Sequence, residues 1–465
     1  MSNREDRPLK TRVIIVRHGQ STYNQLKRIQ GHCDESELTP AGEAQALAAG
    51  QALAGIPIDG VWASPLKRAR KTAEIITAEL QKATPGLAAP IFSEDLKEIS
   101  LPLWEGMAFS DAEAQYPEAF RQWREEPANL VMAVPQGGVS VEFYPIRALY
   151  QQAARFWQGL LAENQGKAIL VVAHSAINRA LISTAIGLEP ERFNSLNQAN
   201  CNISVLNFIG GWGRPVQVEA MNLTSHLGDP LPAMRRGHQG PRLLLVRHGE
   251  TEWNRQSQFQ GQIDVPLNDN GRAQGQQAAE FLKPVTIDAA YTSFMARPKE
   301  TAEIILQHHG NLTLHAVNEL QEISHGEWEG LFEADIEGGY PGMLAQWQSQ
   351  PETVQMPGGE NLEQVWQRSI AAWKEIVAAH SGGHSLSEDR VQTVLVVAHD
   401  AVNKALLCHV LGLGPESFWR FKQGNGAVSV IDYPNGIDSA PVLTTANITI
   451  HLSGSVLDKT AAGAL

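Results

Sequence analysis

Cysteine is scarce in this chain: three in 465 residues, Cys33, Cys201 and Cys408, far apart and in no Cys-x-x-Cys pair. So small and scattered a set excludes a disulfide framework and a thiolate zinc site. It suits reduced thiols, and the expected compartment is the cytoplasm. No run of 18 apolar residues occurs, which excludes a membrane-spanning helix. The opening stretch from Met1 to Arg12 is charged and lacks the apolar core of a secretory signal. Positive charge is also in deficit, with Lys+Arg 37 against Asp+Glu 50 and a net charge of −13. Neither nucleic acid nor a membrane is therefore expected as a partner. A small anionic substrate stays compatible, because its local field is set by a pocket. Nucleotide-binding stretches of the Gly-x-Gly-x-x-Gly or P-loop kind are missing, as is His-Glu-x-x-His, so no cofactor and no metal is expected. The pair His308-His309, before Gly310, lacks zinc-ligand spacing and is read as surface.

What is there is a composition ordinary for a globular protein, 43% hydrophobic and 19% charged, over a length that one core seldom organises. The chain also repeats itself. Val13 to Asn24 reads VIIVRHGQSTYN and Leu243 to Asn254 reads LLLVRHGETEWN. Arg17-His18-Gly19 and Arg247-His248-Gly249 follow continuous apolar runs, the pattern of strands buried on both faces of a parallel sheet. Further matches fall at nearly constant offsets: Arg68 with Arg297, Glu98 with Glu322, His174 with His399, and Asn222 to Leu227 with Asn447 to Leu452. A period of about 225 residues means duplicated domains, since solenoid repeats run to only about 20–50. The expected organisation is a first domain over 1–227, a Gly/Pro-rich linker over 228–241, and a second domain over 242–465.

The local signals place these residues. Thr39-Pro40 reads as a cap followed by proline at the first helical position, opening a helix to about Leu53. Ser64-Pro65 carries the same signal, which puts Arg68 in the first turn of a helix. Ala168 to Ala173 and Val394 to Ala398 are again continuous apolar strands, ending on His174 and His399. Strand and helix alternate throughout, so the fold class is α/β, each domain a mostly parallel sheet between helices.

In such sheets ligands gather beyond the carboxyl ends of the strands, where both Arg-His pairs emerge. Two arginines and two histidines around one point suit a phosphoryl dianion: guanidinium forks hold its oxygens and a neutral imidazole supplies a nitrogen nucleophile. The leaving oxygen also needs a proton. Glu98 and Glu322 are candidates, in LKEISLPLWEG and LQEISHGEWEG, and Glu105 and Glu329 in the following Trp-Glu-Gly compete with them. Spacing does not choose between the two pairs. Trp104 and Trp328 are read as core packing.

These motifs in order, RHG(Q/E)(S/T)xxN, Ser-x-x-x-Arg with a downstream Thr-Ala, Leu-x-Glu-Ile leading to Trp-Glu-Gly, and a strand ending in His, resemble the histidine phosphatase superfamily, with its phosphoglycerate mutase-like fold. The resemblance covers both halves. It implies that His18 and His248 are nucleophiles that form a phosphohistidine, and that Glu98 and Glu322 are the acid/base pair. It implies further that Arg17, Arg68 and His174, with Arg247, Arg297 and His399, bind phosphate, and that Asn24 and Asn254 add a contact. The tandem arrangement is similar to the 2-carboxy-D-arabinitol-1-phosphatase group, which implies a metal-independent phosphomonoesterase of carbohydrate metabolism. Sugar phosphates such as 2-carboxyarabinitol 1-phosphate or xylulose 1,5-bisphosphate would be the substrates.

Two alternatives stand beside that reading: a phosphoglycerate mutase-type phosphotransferase, and a phospho-ligand-binding pseudoenzyme or scaffold. The separations of 76 and 77 residues between the acid Glu and the second His are short for the family's mutases, and no half has lost a catalytic residue. Three departures from the family pattern remain. Ser175 and Asp400 replace the usual Gly after the second His, and a carboxylate at 400 facing inward would oppose a dianion. In the first half Gly138-Val139-Ser140 stands for Gly-Glu-Ser, and Pro145 falls where a helix is expected.

Overall fold

The protein is described here from a computed structural model that covers residues 9–235, 237–381 and 391–457. The chain divides between Asp229 and Pro230 into two compact units. Of the expected linker, Gly228 and Asp229 fall in the first unit and the stretch from Pro230 onward in the second. The Arg242 guanidinium donates to the Pro232 carbonyl at 3.0 Å, and the Gln239 amide donates to the Pro434 carbonyl at 2.8 Å. Arg236, within that stretch, lies outside the described residues.

The first unit contains β1 (Lys10–Arg17), β2 (Gly60–Ala63), β3 (Ile91–Phe92), β4 (Met132–Gln136), β5 (Val139–Phe143), β6 (Ala168–Ala173), β7 (Ile203–Ile209) and β8 (Val216–Leu223). Its main sheet runs β3-β2-β6-β1-β7-β8. The first four strands are parallel, and β7 then pairs antiparallel with both β1 and β8. Val13 to Val16 are fully buried, as continuous apolar runs between two helical layers should be. Register matters for the site, because Arg17 lies opposite Ala173. His18 and His174 therefore leave adjacent parallel strands at the same level.

The second unit repeats this with β9 (Arg242–Arg247), β10 (Ala289–Thr292), β11 (Leu314–Ala316), β12 (Thr393–Ala398), β13 (Val428–Asp432) and β14 (Val442–Ile448). Their order is β11-β10-β12-β9-β13-β14, and Arg247 lies opposite Ala398.

Helix starts refine the local expectations. The helix Pro40–Leu53 is capped by Thr39, whose hydroxyl accepts from the Gly42 amide, and Asn268 does the same for Asp269–Leu282. Ser64-Pro65 does not cap. The helix Lys67–Ala83 starts two residues later without a side-chain cap from its own N-terminal flank; the Ser64 hydroxyl accepts from the Leu66 amide at 3.3 Å, one residue short of the helix, and meets His174 at 2.7 Å. Pro145 is the first residue of Pro145–Glu163, a position where the missing N–H costs nothing. Gly138-Val139-Ser140 belongs to the β4–β5 hairpin. In the second unit the Gly-Glu pair packs instead, and Glu360 binds Arg368 at 2.8 Å.

Candidate active site

Each strand end delivers its histidine in a fixed tautomer. His18 Nδ1 lies 2.7 Å from the Gly19 carbonyl, as does His248 Nδ1 from that of Gly249. A carbonyl only accepts, so Nδ1 carries the hydrogen and the lone pair sits on Nε2. Burial pushes both rings well below 6.5, and the flanking arginines push the same way. Both are neutral near pH 7 for a physical reason: an imidazolium there would be desolvated beside two cations.

The turn after each histidine is held by glycine meeting glycine. A Cβ on Gly19 would sit 2.2 Å from the Gly42 carbonyl oxygen, and one on Gly249 would sit 2.3 Å from that of Gly271. The Gly19 amide donates to Thr72 Oγ1, and that of Gly249 to Thr301 Oγ1, both at 3.1 Å. Those threonines are one helical turn beyond Arg68 and Arg297.

The structure brings the expected residues together in both units. The ring centroids of His18 and His174 are 5.1 Å apart, and those of His248 and His399 are 5.2 Å apart. His174 Nε2 meets Ser64 and His399 Nε2 meets Ser293, at 2.7 and 2.8 Å. The Nδ1 atoms of His174 and His399 are buried with no hydrogen-bond partner among the described residues, as are Nε of Arg17 and of Arg68. The Arg17 and Arg68 N–H donors left open in this way mark where an anion belongs. The arginines are held from behind by carbonyls: Arg17 by Gln198 at 2.8 Å, Arg247 by Gln423 at 2.6 Å, Arg68 by Gly31 and Arg297 by Gly261, both at 2.9 Å. Burial lowers Arg17 and Arg297 to about 10, which leaves both cationic at neutral pH. Arg297 Nε also lies 3.3 Å from His248 Nε2.

Glu98 and Glu322 sit over the first turn of the helix that follows the second histidine. Glu98 Oε1 accepts from the amides of Ala176 and Ile177 at 3.0 and 3.1 Å, and Glu322 Oε1 from Ala401 at 3.1 Å. Burial, then Asp400, raises the Glu322 carboxyl above its ordinary value. Glu105 and Glu329 do something else. Glu105 Oε1 accepts from the His32 and Leu101 amides, and Glu329 from those of Gln262, Ile263 and His325, bracing the loops around Glu98 and Glu322. Asn24 and Asn254 stand at the turn with their carboxamide oxygens engaged by Ser21 and Asn200, and by Thr251 and Asn425. Any substrate contact there falls to Nδ2. Trp104 and Trp328 are buried core residues. His308 pairs with Glu280 at 2.9 Å, and no metal-binding cluster occurs among the described residues.

Some residues at the site had no role assigned from sequence. Asn200 and Asn425 donate to the carbonyls of His18 and His248 at 2.9 and 3.1 Å. Asn222 and Asn447, in left-handed backbone, hold the loops bearing those residues by accepting from Ala199 and Gly424, both at 2.8 Å. His226 and His451 accompany them, meeting the carbonyls of Cys201 and Gly426 at 3.0 Å. The signal was present: Gln-x-Asn and Asn-x-Thr-x-His-Leu both recur at an offset of 225.

The sequence pattern of the histidine phosphatase superfamily, branch 1, matches residues 13–220 and again 243–445. The chain belongs to that superfamily. As a tandem histidine phosphatase it is 33% identical to the 2-carboxy-D-arabinitol-1-phosphatase of Triticum aestivum, over 95% of this chain and 86% of that one. Relatives of single-domain length match less of it. Phosphoserine phosphatase 1 of Hydrogenobacter thermophilus is 32% identical over 45% of this chain and 94% of its own. The 2,3-bisphosphoglycerate-dependent phosphoglycerate mutase of Cytophaga hutchinsonii is 32% identical over 43% and 90%.

Proposed function

We propose that both units hydrolyse small phosphate monoesters through a phosphohistidine. The observation that carries this is a neutral histidine with its lone pair on Nε2, set beside two arginines and a second histidine, built twice. In the first unit Arg17, Arg68 and His174 hold the phosphoryl oxygens while His18 Nε2 attacks phosphorus. The P–O ester bond breaks as the Glu98 carboxyl gives its proton to the leaving oxygen. The Glu98 carboxylate then takes a proton from water, the water oxygen attacks phosphorus, and inorganic phosphate leaves with the His18 lone pair restored. His248, Glu322, Arg247, Arg297 and His399 act in the same roles in the second unit. Asn24 and Asn254 add an amide contact. The guanidiniums supply the charge stabilisation, so turnover requires no added metal.

The substrate class we assign is the phosphorylated sugar or sugar acid, with 2-carboxyarabinitol 1-phosphate and xylulose 1,5-bisphosphate as first choices. The full-length likeness to the wheat enzyme supports it. The test is phosphate release, without metal, from a panel of those two esters, 3-phosphoglycerate and phosphoserine, by the unmutated chain, His18→Ala and His248→Ala. Each single variant keeps part of the release and the double variant none. Isomerisation of 3-phosphoglycerate with a bisphosphate primer, in the absence of release, would assign a mutase instead.

A further inference from the structure

The two sites are alike except at one corner, where three substitutions occur together. In the first unit the residue after the second histidine is Ser175. One turn later Arg179 donates to Ser175 Oγ and to Asn194 Oδ1, both at 3.2 Å, and stacks over Phe193 at 4.9 Å. Both hydrogen-bond partners are neutral. Arg179 Nε is buried with no partner among the described residues. Ser175, to which Arg179 donates, lies between His174 and Ala176, whose amide donates to Glu98 at 3.0 Å, so the guanidinium stands at the corner of the pocket. No carboxylate of the described residues forms an ion pair with it.

At the corresponding corner of the second unit stand Asp400, Lys404 and Trp419. Lys404 Nζ lies 2.6 Å from Asp400 Oδ2 and stacks over Phe418 and Trp419, at 4.9 and 4.5 Å. The other Asp400 oxygen lies 3.2 Å from the Arg247 guanidinium. The Asp400, Lys404 and Arg247 side chains are 7% exposed or less. Three cations face one carboxylate at the first site; at the second they face two, and the third cation is neutralised and walled in by an indole.

Building on the phosphatase reading above, we infer that Arg179 makes the first unit selective for esters carrying a second anionic group, a carboxylate or another phosphate, while the Asp400–Lys404 pair deprives the second unit of that preference. A second anion at the first site meets an uncompensated guanidinium already held in place, so binding it needs little reordering. At the second site it would have to displace a buried carboxylate from its partner.

The experiment isolates each half in the full-length chain, the first with His248→Ala and the second with His18→Ala. It reads the ratio of kcat/KM for 3-phosphoglycerate to that for glycerol 3-phosphate, which lacks the second anion. In the first half Arg179→Gln lowers that ratio about tenfold or more, the range for losing one charge-assisted contact, and Arg179→Lys restores part of it. In the second half Asp400→Ser raises the ratio. A purely structural Arg179 would lower both rates in proportion and leave the ratio unchanged, and that result overturns the inference. Dissociation constants of the same two ligands are measured alongside. If the chain releases phosphate from no ester, the phosphatase reading fails, and the binding ratio still decides the role of Arg179.

Discussion

Burial decides protonation at the candidate site, most plainly at Glu322. Glu322 is 3% exposed and faces Asp400, so its carboxyl holds its proton to higher pH than usual, which suits a general acid. The activity of the second half then falls as pH rises through that raised value. Asp400→Asn removes a raising neighbour and frees Arg247, which lowers it. The alkaline limb of the pH–rate profile of His18→Ala should therefore move to lower pH; an unmoved limb would detach Asp400 from the acid.

His325 offers a stability test at the same scale. Both its ring nitrogens are buried without partners among the described residues, between Phe259 and Trp347, and burial lowers its pKa from 6.5 to about 3. The unfolded chain binds that proton first, so stability is present above pH 6.5 and is lost as pH falls toward 3. The loss by pH 5 is about 2 kcal/mol. Leu101 occupies the matching place in the first unit. His325→Leu should remove that part of the acid sensitivity, seen as a flatter melting temperature between pH 7 and 5; an equally steep curve contradicts the assignment.

Elements place these residues because a few contacts permit no alternative. The histidine turn presses on the first turn of the following helix through Gly19 against Gly42 and Gly249 against Gly271, with backbone on both sides. Gly249→Ala forces those backbones apart, at about 2 kcal/mol or more, and should inactivate the second half while phosphate release from the first continues. Much of this level was legible: the strand ends, the helix after Thr39 and the arginine in the first turn follow from apolar runs and capping chemistry. Ser64-Pro65 misled because the Ser64 hydroxyl accepts from the Leu66 amide, one residue before the helix, while it also meets His174. Spacing was equally silent between Glu98 and Glu105: both accept from backbone amides, and only the fold shows that Glu98 alone of the two meets the helix after His174. Asn200 and Asn425 were missed because a residue that bonds a carbonyl needs no motif of its own, yet their repetition would have exposed them.

Across the whole molecule, duplication is what made the site readable. A single Arg-His-Gly is weak evidence, whereas two sets of residues at matching offsets, each converging on one point in its own unit, constrain the chemistry strongly. The same comparison shows where the copies have diverged, at Ser175 against Asp400 and in the β4–β5 hairpin of the first unit. The offsets revealed the substitution, but its consequence depends on where the Asp400 carboxylate lies, which only the fold shows.

The central claim is that both units turn over through a histidine-bound phosphoryl group. The most direct measurement is rapid quenching of the full-length chain during hydrolysis of a labelled monoester, followed by peptide mapping under basic conditions that preserve phosphohistidine. Acid-labile label on both the His18 and His248 peptides, lost from each with its own alanine variant, is the predicted result. Phosphate release with label on neither peptide would contradict the account.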